Sequence, residues 1–359
     1  MRKIGYGLFF IFFFLAITLF YAFFMDKLLQ NENENALIKG DIVEEDELPF
    51  FVPQPELSAE QNDTYLHEDG LHKLIGKDVD SLVQLYGEPS RVDLSAYDYE
   101  WWIYPKENSY IQVGVENDRI VTIYFIGNDL LAAPFIIGQT YEELEKMFQF
   151  REQVSFNVLN NSYQFNLSED ELSTRPLLQV DQIFIQLYFD TFTQSLSGIR
   201  YLDGKTLVKH RPYSVVYRGE LIEPKQLTEQ EWRQVESGSS KQILDITNEI
   251  RKRHQLGELE WDEETSIVAY QHSEDMKVND YFSHTSPMYG ELKDRLKKQG
   301  IFYQLAGENI AAKYVDSIAV VEGWLNSEGH RVNLLHEDFT HLGVGVYERY
   351  YTQNFITPW

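Results

Sequence analysis

The sequence predicts an α+β protein: a helix-rich C-terminal layer over a small antiparallel sheet, preceded by a duplicated α+β domain and one N-terminal transmembrane helix. Three observations carry this. An uncharged apolar run opens the chain, a repeat offset by 62 residues follows, and the last third mixes helical and strand periods. At 359 residues and 42.2 kDa the chain exceeds one average domain, so two folded units plus connecting material are expected.

The apolar run Ile4 to Met25, "IGYGLFFIFFFLAITLFYAFFM", holds 22 residues without a charge. At ~1.5 Å per residue it spans roughly the 30 Å hydrocarbon core of a bilayer. Arg2 and Lys3 precede it, while Asp26 and an acidic stretch follow. The positive-inside bias therefore puts the N-terminus in the cytoplasm and everything after residue 25 outside. The run is longer than a usual signal-peptide core and no small-x-small cleavage site follows it, which favours an uncleaved signal anchor over residues 1–25. Residues 26–69, rich in Glu, Asp, Asn, Gln and Pro without a sustained period, read as a solvated acidic stalk.

Composition narrows the chemistry. Cysteine is absent, which excludes disulfides, thiol nucleophiles and Cys-ligated zinc. The 14% aromatic content supplies packed cores instead. With 57 acidic against 31 basic residues the net charge is −26, which argues against a nucleic-acid partner and points to cations.

Across residues 70–215, "LIGKDVDSLVQLYG" (74–87) matches "IIGQTYEELEKMFQ" (136–149), with Ile75, Gly76, Leu82 and Leu85 opposite Ile137, Gly138, Leu144 and Met147. Each copy predicts a strand-like Ile-Gly start and an amphipathic helix, then alternating runs such as "YIQVGV", "IVTIYFIG" and "QIFIQLYF". No His/acid cluster lies within the copies, so this region reads as a packing or partner-binding module. A polar segment, 216–240, follows as a linker, with Pro224 and the Ser-Gly-Ser-Ser at 237–240 marking breaks.

From 241 to 359 the pattern predicts a helix facing inward through Ile243, Ile246 and Ile250, and a second through Ile267, Tyr270 and Met276. A third carries Leu292 and Leu296 and ends at Gly300. A fourth starts at Asp316 with Ile318, Val321 and Leu325 inward, and "HLGVGVYERYYTQNFI" reads as a terminal hairpin.

The blocks "NEIR", "LEWDEETSIVAYQHSEDM", "YFSHTSP", "GENIA", "WLNSEGHRVNLL", "LGVGV" and "YYTQNF" occur here in order. In this they resemble the CAP superfamily, the SCP-like extracellular domains, in the form found in bacteria. An anchor and a duplicated domain ahead of it resemble the layout of Bacillus-type membrane members with a CAP-associated N-terminal domain. The resemblance implies an α-β-α sandwich and a cleft lined by two His and two Glu, the His pair able to hold a divalent metal such as zinc. His284, Glu308 and His330 fall on three of those positions, and Glu328 is taken as the fourth, with Glu322 as the alternative.

Read from the residues alone, His284 and Glu308 lie 24 apart and Glu308 and His330 lie 22 apart, so only a folded cleft joins them. No local HExxH spacing does so. From spacing alone a structural role is the favoured reading, His330 as a helix cap and Glu308 as an acceptor for backbone N–H groups; the resemblance is what favours a clustered cleft. Two functions are expected. One is a membrane-anchored binding or scaffolding protein at the cell surface with a lipid, wall or protein ligand. The other is a metal-assisted hydrolase of peptide or cell-wall material, with Glu308 as general base.

Overall fold

The structure, a computed structural model, describes residues 42–44 (backbone only), 70–107, 109–127 and 132–359. The expected anchor at 4–25 and nearly all of the stalk lie outside the described residues. Among the described residues no helix is long and apolar enough to cross a membrane.

After a short strand β1 (Ile42–Glu44), the first repeat copy runs α1 (Val79–Tyr86), β2 (Arg91–Leu94), β3 (Glu100–Pro105), β4 (Ser109–Glu116) and β5 (Arg119–Gly127). The second runs α2 (Tyr141–Phe148), β6 (Gln153–Val158), β7 (Asn161–Asn166), α3 (Glu169–Thr174), β8 (Leu177–Val180), β9 (Ile183–Asp190) and β10 (Ser195–Asp203). Helix α4 (Gly204–His210) and β11 (Ser214–Arg218) close the region.

The repeat recurs in the hydrogen bonds. Gly76 (φ +77°) and Gly138 (φ +93°) precede α1 and α2, and their N–H groups donate to Ile120 O at 2.7 Å and Leu196 O at 2.9 Å. The Ile-Gly starts are thus left-handed turns rather than strands, a conformation glycine adopts without steric cost. Seven strands form one antiparallel sheet, β2-β3-β4-β5-β10-β9-β8, in which β5 and β10 join the two copies. The copies diverge in one respect. Strands β6 and β7 leave this sheet for a second one ordered β1-β11-β7-β6.

Both faces of the large sheet are covered. Ile111, Val113, Ile123, Phe125, Ile185 and Leu187 pack under α1 and α2, while Tyr110, Tyr124, Tyr188, Tyr97 and Trp101 face the C-terminal domain. Double burial is why β5 reads as a nearly unbroken apolar run.

The C-terminal domain comprises α5 (Glu229–Arg253), β12 (Glu260–Trp261), α6 (Glu263–Val278), α7 (Leu292–Gln299), β13 (Tyr303–Ala312), α8 (Ser317–Leu325), α9 (Glu328–Leu334), β14 (His341–Tyr347) and β15 (Tyr350–Pro358). Its sheet is ordered β12-β14-β15-β13, which makes β13 an edge strand. Helices α6 and α7 cover one face through Val268 and Leu296, packed on Ile356 of β15; α5 and α8 cover the other through Ile243, Ile246, Val321 and Trp324. The "LGVGV" alternation sorts the faces. A Cβ on Gly345 would lie 1.8 Å from Tyr270 N of α6, so the glycines admit that helix while Val344 and Val346 join the opposite core.

Two sequence expectations change. The Ser-Gly-Ser-Ser at 237–240 is not a break: α5 runs 25 residues straight through it, after a capping box between Thr228 and Glu231. Gly238 is there for proximity, because a Cβ would sit 2.7 Å from Asp93 Cβ. The inward face of α6 is Val268, Ala269, His272, Ser273 and Met276, whereas Ile267 is 37% exposed.

The two domains share a core and a polar seam. Arg91 reaches Asp245 (2.8 Å), Gln242 donates to Asp93 (2.9 Å), Arg200 pairs with Asp316 (2.7 Å) and Arg331 with Asp190 (2.9 Å). Docking uses the α5/α8 side and leaves the β13 edge open.

Candidate functional site

Three elements converge on that edge. Strand β13 supplies Glu308, the loop between α6 and α7 supplies His284, and α9 supplies His330. The loop is held from within. Ser286 donates to Asp275 Oδ2 (2.7 Å), and Arg295 Nη1 of α7 donates to the His284 carbonyl (2.9 Å).

The Glu308 side chain is only 4% exposed, and both its oxygens are engaged. Oε1 lies 2.9 Å from His284 Nδ1, and Oε2 accepts from Arg295 Nη2. Burial by itself would raise the Glu308 pKa. The His284 hydrogen bond and the Arg295 charge outweigh it, and the net shift is downward. Glu308 is therefore an ionised acceptor with no oxygen to spare.

Behind it stands His272, which the sequence reading did not single out. Its Nε2 lies 3.0 Å from Ser283 O, and a carbonyl only accepts, so Nε2 carries the proton. Nδ1 then accepts from Arg295 Nη1 at 3.0 Å. Burial drives the His272 pKa down to about 4 against the opposing charge of Glu308, which keeps the ring neutral near pH 7. The resulting chain, His272–Arg295–Glu308–His284, ends on an imidazole that is 52% exposed. Because Nδ1 of His284 faces a carboxylate, Nδ1 bears a proton, and in the neutral ring Nε2 is then the open lone pair.

His330 joins from the α9 side. Its Nδ1 lies 2.8 Å from Ser327 Oγ, and burial, with His284 nearby, lowers its pKa to about 4. Asn309 donates to His330 O (3.1 Å) and Asn333 to Glu308 O (3.1 Å), tying α9 to β13. Next to it, Arg331 grips Asp190 of the first domain, so the position of His330 depends on the seam.

The structure brings His284, Glu308 and His330 together and excludes both candidates for the fourth place. Glu328 is exposed in the first turn of α9 and takes no part in the network. At ~100° per residue a helix turns position 328 well away from 330. Glu322 is buried on α8 at the seam, where its Oε1 accepts from Tyr124 OH at 2.9 Å. Arg295 and His272 take the supporting places instead. Their signal was periodicity. Arg295 continues the inward stripe of Leu292 and Leu296, and His272 that of Val268 and Met276.

As a metal centre this arrangement is sparse. Among the described residues no group of three or more His, Asp or Glu is placed to hold an ion. What is present is a pair of imidazoles, His284 and His330, with Nδ1 tied to Glu308 and to Ser327 respectively. Beside Glu308 in the β13–β15 register, the fully buried Asn354 carboxamide has no hydrogen-bond partner among the described residues.

A family model described as CAP-associated N-terminal matches residues 75–213, and one described as the Cysteine-rich secretory protein family matches residues 244–357. The chain is 50% identical over 311 residues to the Uncharacterized membrane protein YlbC of Bacillus subtilis (strain 168), spanning 85% of this chain and 90% of that one. It superposes on an extracellular protein containing a SCP domain from Bacillus anthracis str. Ames with a TM-score of 0.78 and 47% identity, over 81% of this chain and 96% of that one. A cysteine-rich secretory protein from Staphylococcus aureus subsp. aureus Mu50 matches with a TM-score of 0.70 over 80% of this chain and 95% of that one; at 24% identity it speaks to fold alone.

Proposed function

Since the chain belongs to the CAP (cysteine-rich secretory protein) family and carries the CAP-associated N-terminal domain, we propose that it is a membrane-anchored surface protein whose β13-edge cleft binds a ligand through His284 and His330. One observation carries this reading: a buried chain of three side chains ends on a half-exposed imidazole with a free Nε2. Burying Arg295 and Glu308 costs desolvation, and directing that cost at one surface group suits recognition better than stability. The apolar run 4–25 and the similarity to a protein named as a membrane protein support a single-pass anchor with the domains outside. A lipid, wall component or protein is the expected class of ligand; the acidic net charge speaks against nucleic acid.

A divalent cation such as zinc would take His284 and His330 as two donors, with Glu308 orienting His284 from behind, and would act as a Lewis acid toward a ligand oxygen. The hydrolase alternative is the weaker reading. Glu308 has no free oxygen and a lowered pKa, which suits a positioning group rather than a general base. The test is a zinc titration of the full chain beside the His284→Ala/His330→Ala double variant, with circular dichroism confirming that both fold. Saturable binding lost in the variant supports the metal. Equal binding in both contradicts a His284/His330 site.

A further inference from the structure

Strand β13 is the edge of the C-terminal sheet, and an edge strand turns half of its main-chain groups away from its neighbour. The register says which half. Just past the end of β13, Lys313 N donates to Arg349 O, so from Leu305 to Ala312 the odd-numbered residues bond to β15 and the even-numbered ones point outward. Two of the outward carbonyls are met by side chains: Ile310 O accepts from Trp324 Nε1 (3.2 Å) and Glu308 O from Asn333 Nδ2 (3.1 Å). Ala306 is next in that series. Its N–H and C=O, and the N–H of Glu308, have no partner among the described residues.

Burial divides the strand at the same point. Glu308 to Ala312 are buried, whereas Tyr303 to Gly307 are all at least partly exposed. The open stretch, "YQLAG", holds no charge and no Pro, the residues that ordinarily guard an edge against pairing. At its outer end the Tyr303–Pro358 pair is flanked by Phe302, 78% exposed, and Trp359, 83% exposed. At its inner end the Glu308 side chain leads to His284. Alternating N–H and C=O groups at strand spacing are matched by another extended main chain, and a lipid or a saccharide does not repeat them. A second copy of this chain fits poorly. Two-fold pairing about Leu305 would set Phe302 opposite Glu308 of the other copy, where Asn333 already fills the edge. A free-ended strand meets no such obstruction.

We propose that the open half of β13 takes an extended peptide of a partner protein as a fifth strand, paired to Ala306 and the Glu308 N–H, with one apolar side chain against Phe302 and Trp359. This deepens the cleft reading by naming its ligand as a peptide, and rests on that reading only for the peptide end that reaches His284.

The experiment titrates a pool of end-capped hexapeptides, with Val, Ile, Leu or Phe at alternate positions and Thr between, into the full chain in detergent, read by ¹H–¹⁵N NMR and amide hydrogen exchange. Saturable binding is expected. The Ala306 and Glu308 amides should exchange freely in the unliganded chain and become protected with peptide, while Gly307, paired to β15, is protected throughout. Ala306→Pro removes an N–H that points off the edge, a place where Pro is tolerated, and should weaken binding about tenfold. N-methylation of alternate peptide amides should do the same without altering the protein. Circular dichroism confirms that the variant folds. No saturable binding overturns the proposal, as does binding indifferent to both Ala306→Pro and N-methylation. Ala306 and Glu308 amides protected without peptide, in a chain that sediments as a dimer, would assign the edge to a second copy and overturn it too. The His284→Ala/His330→Ala variant separates the two readings. Peptide binding kept there but lost in Ala306→Pro upholds the strand and counts against the cleft; zinc binding lost there, with no peptide bound by the parent, overturns the strand alone.

Discussion

The seam and the cleft are both built from buried polar groups, but their networks end differently. At the seam, Arg200 meets Asp316, Arg331 meets Asp190, and Gln242 joins Gln112 to Asp93, each group answered by another within the protein. At the cleft, His272, Arg295 and Glu308 are as deeply enclosed, yet the last link, His284, is 52% exposed. A closed network fixes how two domains sit together. An open-ended one orients a single group toward whatever arrives from outside.

The sharpest way to break this comparison is to cut one link in each network. Arg200→Ala leaves the Asp316 carboxylate buried without its partner, and removing one member of such a pair costs ~3–5 kcal/mol. Denaturant unfolding of the variant should show a loss of that size. An Arg200→Ala variant as stable as the parent would mean the seam is not held by its charges.

The next largest effect is on pH dependence. His272 has a pKa of about 4 in the folded protein against an ordinary 6.5. Below pH 6.5 the unfolded chain takes a proton that the folded ring refuses, so stability falls as pH drops from 6.5 to about 4 and levels off below. The His272 share reaches ~3 kcal/mol by linkage. His330 and the seam's His210, both with lowered pKa, act in the same direction. Glu308 reinforces it at lower pH, its contribution being lost as pH falls through its depressed pKa. Unfolding measured across pH 4 to 7 should therefore flatten in His272→Gln, and an unchanged slope would remove His272 from the network.

The smallest effect belongs to the open end. His284→Ala should cost ~1 kcal/mol, because it takes one partner from the buried Glu308 carboxylate while Arg295 keeps the other, and should abolish cleft binding. A large stability loss on unfolding this variant would make His284 another structural member rather than a presented one.

How much of this was legible depends on whether a local pattern carried it. The Leu296 face, the Asp316 cap and the Gly300 C-cap follow from i, i+3, i+4 spacing and cap chemistry, and the structure has them. Residues 237–240 misled because composition marks a loop where Gly238 is needed for close approach to Asp93, a contact 145 positions away in sequence. The α6 face was misplaced because small and polar residues, Ala269, His272 and Ser273, line it where Gly343 and Gly345 let the helix press on the sheet. At the site, block resemblance located His284, Glu308 and His330. It did not reveal that Glu308 answers to Arg295, since an arginine on a lysine-rich helix reads as solvated until the stripe it continues is noticed. Glu328 failed for a rotational reason, two residues from His330 on the same helix and so turned away from it, whereas Glu322 failed because it sits on the preceding helix, α8, which faces the first domain.

The central claim is that Glu308 holds His284 with its proton on Nδ1 and its lone pair on Nε2. Long-range ¹H–¹⁵N correlation of the histidine rings at pH 8 tests this directly. The account predicts the Nδ1–H tautomer for His284 and the Nε2–H tautomer for His272. A His284 ring protonated on Nε2 would set its Nδ1 lone pair against the Glu308 carboxylate, and would contradict both the hydrogen bond and the open end built upon it.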